Sequence, residues 1–338
     1  MKVAAITSER QAEVIDLPDP KPAEDFVVVK IHSAPMCTEY KAYRRGHPTN
    51  RLGHEAAGEV VEVAQPGTVK VGDRVVVMPQ HPCGTCPLCL AGDYIHCQHA
   101  VDALSICGCE AGTATYAQYV LKKDWLLLPI PEGVSYDHAS MACCGLGPTF
   151  GAMQRMAVDA FDTVLITGMG PVGLGGVVNG MFRAARVIVA EPHPYRRKLA
   201  CEIGAVAAID PGEEGALERI MDLTDDRGAD KAIDCSGSPD AQRLMIDAAR
   251  RRGQVAFVGE AGELTIQVSR DTIRKGLTLH GVWHWNLADT PRMWQVIRGS
   301  AELLDRQITH TFPLSAVREA WELQLTGECG KVILHPWE

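Results

Sequence analysis

The chain has 338 residues, enough for two domains of ordinary size, and its 46% hydrophobic and 22% charged residues exclude a disordered polymer. Lysine and arginine number 33 against 42 acidic residues, and a net charge of -9 would repel nucleic acid and anionic membrane. No apolar run reaches the ~20 residues needed to span a bilayer. The opening MKVAAITSERQAEV turns polar too soon for a secretory leader. Twelve cysteines in such a chain point to metal binding or catalysis rather than to disulfides.

In chain order, 27–31, 58–63 and 74–78 are β-branched runs punctuated by Pro20, Pro22, Pro66-Gly67 and Gly72-Asp73, and are predicted strands. A cysteine-dense loop covers 81–109, and another strand-like run follows at 116–120. Residues 137–158 are predicted helical. After them, 164–167, 187–190, 231–235 and 254–259 are apolar runs typical of parallel strands buried on both faces. Helical stretches at 171–180, 195–203, 214–223 and 239–249 alternate with these, the last with Ser238 as N-cap and Pro239 at its first position. The alternation implies a right-handed, doubly wound parallel sheet. Beyond about residue 285 the pattern reverts to a helix, a turn and a short strand. A β-rich domain is therefore expected to be interrupted by an α/β domain and resumed at the C-terminus.

The run Thr163-Val-Leu-Ile-Thr-Gly168-Met-Gly170-Pro171-Val172-Gly173-Leu is a strand leading through G-x-G-x-x-G into a helix. Gly168 permits the tight turn, Gly170 lets backbone approach a pyrophosphate, and Gly173 allows close helix–strand contact. With Pro171 and Val172 these residues open a helix whose N-terminus favours phosphate. The next strand ends at Glu191, near the expected distance of about 20 residues for a carboxylate that binds the adenosine ribose. Such a carboxylate repels a 2′-phosphate and favours NAD over NADP. Arg196 and Arg197, a few residues on, are the groups that would pair with a phosphate instead.

Cys83, Cys86, Cys89 and Cys97 form C-x2-C-x2-C-x7-C, four thiolates in one short loop, which suits a closed tetrahedral zinc site with a structural role. Elsewhere Cys37 precedes Thr38 and Glu39, Gly53-His54-Glu55 opens a strand, and Cys144 lies in Met141-Ala-Cys-Cys-Gly-Leu-Gly. Together they offer the Cys, His and third-ligand set of a catalytic zinc with one open position.

The order of Cys37, Gly53-His54-Glu55 with Gly58, Gly72-Asp73-Arg74-Val75, the four-cysteine lobe, Cys144-Gly145, the glycine fingerprint and Glu191 resembles the zinc-containing medium-chain alcohol and polyol dehydrogenase family over the whole length. The resemblance implies a GroES-like, β-rich catalytic domain over 1–149 and 284–338, with a structural zinc lobe at 81–98. It also implies a Rossmann coenzyme domain over 150–283. Cys37 and His54 would be ligands of a catalytic zinc, Glu55 an exchangeable or supporting group, and Cys144 the third ligand, with Cys143 as its alternative. The family usually has one residue between the first cysteine and a Ser/Thr followed by an acid; here Thr38 follows Cys37 directly, with Glu39 next. Thr38 is the expected proton-relay hydroxyl, with a helix N-cap as its plainer role.

The expected reaction is hydride transfer between a secondary alcohol and NAD, with two zinc ions per chain, one catalytic and one structural. Zinc lowers a hydroxyl pKa much as it lowers that of water, from 15.7 to about 7, which is on the order of 10 kcal/mol of stabilisation. Trp283-His284-Trp285 is expected either to form part of a polar, aromatic pocket for a polyol, cyclitol or sugar or to pack in the core or at an interface between copies. Tyr40, Tyr43 and Arg44 either face that pocket or form a helix face. The alternatives are an NADP-dependent reductase of small or aromatic carbonyls and, remotely, a zinc-ribbon nucleic-acid binder. The partners expected are a small alcohol or ketone and further copies of the chain in a dimer or tetramer, without nucleic acid or membrane, in the cytoplasm. Cys201 and Cys235 are expected to be packing residues, and Cys107 and Cys109 carry no assigned role.

Overall fold

The computed structural model describes residues 1–109, 112–260 and 262–338. Its strands among these residues are β1 (Lys2–Ser8), β2 (Gln11–Asp16), β3 (Phe26–Pro35), β4 (Ala56–Val63), β5 (Arg74–Val77), β6 (Tyr119–Lys123), β7 (Leu127–Pro129), β8 (Thr163–Thr167), β9 (Arg186–Ala190), β10 (Ala207–Ile209), β11 (Ala229–Asp234), β12 (Ala249–Phe257), β13 (Thr278–Gly281), β14 (Ile308–Pro313) and β15 (Lys331–His335). They fall into two compact units. Unit 1 comprises Met1–Cys144, Asn286–Arg298 and Ile308–Glu338; unit 2 comprises Gly145–Trp285 and Gly299–Gln307.

Unit 1 is built on a seven-stranded sheet in the order β14-β15-β3-β4-β5-β7, with β6 paired to β3, beside the β1–β2 hairpin. The long, valine-rich β3 is buried along nearly its whole length because it pairs with β4, β6 and β15. Its residues Val29 and Ile31 are fully buried with Val60, Val75, Tyr43 and Trp321. Burial of side chains of this size contributes about 1.5–3 kcal/mol each. Tyr43 stacks on Trp321 at 5.0 Å, so it belongs to this core rather than to a substrate pocket, while Arg44 is exposed.

Unit 2 contains a six-stranded sheet in the order β10-β9-β8-β11-β12-β13, parallel throughout. Counted from β8 this is the 3-2-1-4-5-6 order of a doubly wound nucleotide-binding sheet, whose ligand crevice lies at the strand C-termini where the order reverses, here between β8 and β11. Helix Ala301–Gln307 returns to this unit: Arg306 donates to the Glu202 carbonyl at 2.6 Å, and Gln307 to the Pro171 carbonyl at 2.9 Å.

Two expectations change locally. The single helix expected over 137–158 is two helices, Tyr136–Ser140 and Gly147–Arg155, separated by turns. Pro148 opens the second, since its ring is tolerated in a first helical turn but not in a helix interior. Cys143 and Cys144 thus sit in a turn. Cys201, expected in the core, is exposed, because helix Pro194–Ile203 buries Leu199, Ala200 and Ile203 instead.

At the end of β15, His335 Nε2 lies 3.0 Å from Asp137, which also accepts the Ser33 hydroxyl. The Asp137 contact raises the His335 pKa despite burial. Burial would raise that of Asp137, but His335 and Ser33 outweigh it and hold the pKa down. The pair therefore stabilises the fold between these two folded-state pKa values. Its contribution is lost upward as His335 deprotonates and downward as Asp137 protonates. His335→Gln should lower the melting temperature most at mildly acidic pH, with the gap closing toward both pH extremes. A gap of constant size from about pH 4 to 9 would contradict this linkage.

Candidate active site

The four-cysteine lobe folds around helix Pro87–Leu90 and a 3-10 turn at Tyr94–His96. Its sulfurs lie 3.9 Å apart for Cys83–Cys89, 3.5 Å for Cys86–Cys89, 3.9 Å for Cys86–Cys97 and 3.6 Å for Cys97–Cys83. Zinc–sulfur bonds of about 2.3 Å require tetrahedral edges of about 3.8 Å, so the set fits the ion. Backbone N–H groups of Thr85 and Cys86 point at Cys83 Sγ, both at 3.4 Å, and those of Cys83 and His99 point at Cys97 Sγ at 3.4 and 3.3 Å. The bonds to Cys83, led by that from Thr85, pull its pKa to about 5 and favour the thiolate. Sequence reasoning missed Asn286, which clamps the lobe from the C-terminal return segment through the Ala91 carbonyl at 2.8 Å and Asp93 at 2.9 Å.

The second donor set is assembled by strand register. In the β3–β4 ladder Ser33 pairs with Ala57, which carries the chain beyond Pro35 back alongside the segment before Ala56. Cys37 is thereby brought to His54 and Glu55. Ile333 of β15 pairs with Pro35, and this places Lys331 beside the same end. The turn after helix Tyr136–Ser140 adds Cys144. Ligand atoms of Cys37, His54, Glu55 and Cys144 lie within 4.8 Å of one another, and His54 Nε2 is 3.2 Å from Cys144 Sγ. Cys143 points elsewhere, its thiol donating to the Val77 carbonyl at 3.3 Å while burial keeps its pKa raised. Two sulfurs, one imidazole and an adjacent carboxylate form a donor set suited to zinc.

Three neighbours hold this set. Glu39 accepts from His54 Nδ1 at 2.8 Å and from the Tyr116 hydroxyl at 2.9 Å. Burial would raise the Glu39 pKa, but His54 above all outweighs it and holds it at about 2. Lys331, wholly buried, reaches Glu55 at 2.7 Å, and the Cys144 N–H donates to the other Glu55 oxygen at 3.1 Å. Burial opposes a charge on Lys331, yet Glu55, Cys37 and Cys144 raise its pKa. The Cys144 thiol, against burial and with help from His54 and Lys331, holds the Cys37 pKa well down. Thr38 is exposed and makes no side-chain hydrogen bond among the described residues. Helix Tyr40–Arg45 begins after Glu39, which occupies its N-cap, so Glu39 rather than Thr38 turns inward.

In unit 2, β8 ends at Thr167 and is followed by Gly168, whose φ is +81°. A Cβ at Gly173 would lie 1.9 Å from the Gly168 carbonyl oxygen, whereas one at Gly170 would meet open space, a cradle suited to a pyrophosphate. Pro171 and Val172 open helix Pro171–Phe182, which has no side-chain cap and so leaves its N-terminal N–H groups for a ligand. The Glu191 carboxylate, buried, accepts from Met169 N at 2.5 Å and His193 N at 2.9 Å. Arg197 is held by the Glu191 and Pro192 carbonyls and by Asp210, while the Arg196 Nε is buried with no partner among the described residues.

The family "Alcohol dehydrogenase GroES-like domain" matches residues 23–132, and "Zinc-binding dehydrogenase" matches 171–299. The L-threonine 3-dehydrogenase of Pyrococcus horikoshii is 32% identical, covering 95% of this chain and 94% of its own. The sorbitol dehydrogenase of Bacillus subtilis is 30% identical, covering 99% and 97%. The solved structure of an alcohol dehydrogenase from Thermus sp. ATN1 shares the fold with a TM-score of 0.88, at 23% identity and 99% coverage of each chain. The chain belongs to the zinc-containing medium-chain alcohol dehydrogenase family. It is an oxidoreductase of CH–OH donors, with the four-cysteine set for a structural zinc, the Cys/His/Glu set for a catalytic zinc, and NAD as the dinucleotide typical of the family.

Two outcomes test the site. Cys144→Ser should lower metal content from about two zinc ions per chain toward one, while Cys143→Ser leaves it unchanged; the reverse pattern would exchange their roles. Glu39→Gln keeps the side-chain shape but removes the charge from His54. It should lower kcat/KM about 10- to 100-fold or weaken zinc retention to a similar degree, and unchanged values for both would refute its role.

Proposed function

We propose that this chain oxidises a secondary hydroxyl of a small polyhydroxylated molecule (a polyol, cyclitol or sugar) with NAD, and reduces the corresponding ketone. The observation that carries the reading is the Cys37–His54–Glu55–Cys144 set in a chain aligned end to end with relatives named for L-threonine and sorbitol. Both compounds carry a secondary hydroxyl with a polar substituent on the adjacent carbon, on both sides in sorbitol and on one side in L-threonine, whose other neighbour is a methyl group. We assign catalysis to residues 1–149 and 284–338 and coenzyme binding to 150–283.

Cys37, His54 and Cys144 would hold the catalytic zinc, with Glu55 beside them; when bound, zinc acts as a Lewis acid that makes an alcohol proton easier to lose. The protein's own groups supply orientation and charge balance. Glu39 fixes the His54 ring with Nδ1–H toward its carboxylate, leaving Nε2 toward the thiols. On binding a divalent ion the Cys37 and Cys144 thiols would give up their protons and offset its charge, while Lys331 offsets Glu55. Thr38, exposed beside Cys37, is the hydroxyl we assign to passing the proton to solvent.

For the coenzyme, Gly168, Gly170, Pro171, Val172 and Gly173 would cradle the pyrophosphate and Glu191 would accept from the ribose hydroxyls. The unpartnered Arg196 Nε supports the second reading, an NADP-dependent reductase of small or aromatic carbonyls. Of the aromatic run, Trp285 is buried edge-on against Phe150 at 5.8 Å and packs, while half-exposed Trp283 is the ring that would stack on a sugar face. The short strand β13 ends its sheet with one unpaired edge, which supports pairing of two copies into a dimer or tetramer. Twelve free thiols suit the reducing cytoplasm. No helix among the described residues is long and apolar enough to cross a membrane.

Initial rates with NAD and with NADP across polyols, cyclitols, sugars and simple aliphatic alcohols test the reading. Higher kcat/KM for a polyhydroxylated compound with NAD is expected. Preference for ethanol or butanol would overturn the substrate class, and preference for NADP would overturn the coenzyme.

A further inference from the structure

The edge of the unit 2 sheet opposite the glycine turn carries a second concentration of charge. All six strands run parallel, so Gly168 at the end of β8 marks one edge, and the starts of β11, β12 and β13 mark the other. At that second edge the ladder slips: Ala229 pairs with Ala249 but Lys231 with Gln254. Two steps along β11 thus correspond to five along β12, and the surplus extrudes Arg250, Arg251 and Arg252, the last at a φ of +59°. Arg250 is tied to Asp230 at 2.5 Å. Arg251 has one nitrogen engaged, donating to the Arg274 carbonyl at 3.1 Å, and faces a recess of about 460 Å³.

That recess is lined by Leu217, Asp247, Arg251, Arg270, Asp271, Arg274 and Lys275, four cations against two carboxylates. The carboxylates are already engaged by a fifth cation: Arg243 grips both oxygens of Asp247 at 2.9 and 2.7 Å and reaches Asp271 at 2.7 Å. Arg270 makes only longer contacts to the same two acids, 3.3 Å to Asp247 and 3.6 Å to Asp271. Lys275 donates to the carbonyls of Ile246 and Asp247 at 2.6 and 2.7 Å, and the Arg274 guanidinium has no acceptor among the described residues. In a chain of net charge -9, this is a local surplus of positive charge around a concave surface. Guanidinium forks match phosphate oxygens bidentately, and the volume exceeds that of a single phosphate. We propose that this recess binds a phosphorylated small molecule, a site separate from the glycine turn and at the other edge of the sheet.

The test uses the zinc-loaded protein saturated with NADH, so that the glycine turn is occupied, and titrates inorganic pyrophosphate or AMP at low salt by calorimetry. One site per chain is expected, weakened at least about tenfold in the Arg251→Gln/Arg274→Gln variant. Both side chains are exposed, and the variant should keep its NADH affinity and melting temperature. Tighter binding of AMP identifies a nucleotide or similar phosphate ester as the ligand type, and equal or tighter binding of pyrophosphate identifies the phosphate groups alone. No binding of either probe, or binding undiminished in the double variant, would overturn the proposal.

Discussion

Cys37, Cys144, Glu55 and Glu39 place four acidic groups around the single imidazole of His54, and the surrounding part of unit 1 is arranged to keep them together. Two like unit charges 4 Å apart repel by about 4 kcal/mol at an effective dielectric of 20, so such a cluster needs counter-charge built into its walls. His54 and the wholly buried Lys331 supply it from the protein side. Neither could do so without the ladder that brings β4 and β15 against opposite edges of β3. The hydrophobic burial of β3 is therefore what fixes the electrostatics: a slip of one residue would turn every side chain to the other face and scatter the donors.

The structural lobe solves a related problem differently. It is too small for a core of its own, so backbone N–H groups converge on its sulfurs and Asn286 ties it to a distant part of the chain. One donor set is held by strands and buried ion pairing, the other by loop backbone. The first leaves a carboxylate beside its sulfurs and imidazole, and the second is closed by four thiolates. Closure suits stability, and an open position suits chemistry.

Unit 2 derives its functional polarity from parallel pairing. Because all its strands point one way, helix N-termini and glycine turns collect at one edge and strand starts at the other. The register slip on β12 acts only at the second edge, where it displaces an arginine triplet without disturbing Gly168. A dinucleotide cradle and a cationic recess can thus coexist on one sheet.

Motifs whose meaning is local were legible in the residues alone. The cysteine spacing, the glycine fingerprint and the alternation of apolar runs depend on neighbours a few positions apart, and they set the two-part architecture and the four-cysteine set. The set of Cys37, His54, Glu55 and Cys144 was expected from the order of motifs along the whole chain and the family it resembles. Contacts between distant positions were not legible. Nothing near Lys331 marks it as the partner of Glu55, 276 positions away. Asn286 carries no sign of the lobe it clamps. Cys144 was already expected as the third ligand with Cys143 as its alternative, but the turn that aims the Cys143 thiol at the Val77 carbonyl was not expected, nor was the inward turn of Glu39, which depends on where the next helix begins. Chemical identity and spacing fixed which groups could bind metal and dinucleotide. Their orientation, charge balance and supporting partners came from strand register and helix breaks, because burial and pairing across hundreds of positions leave no short-range trace in the chain.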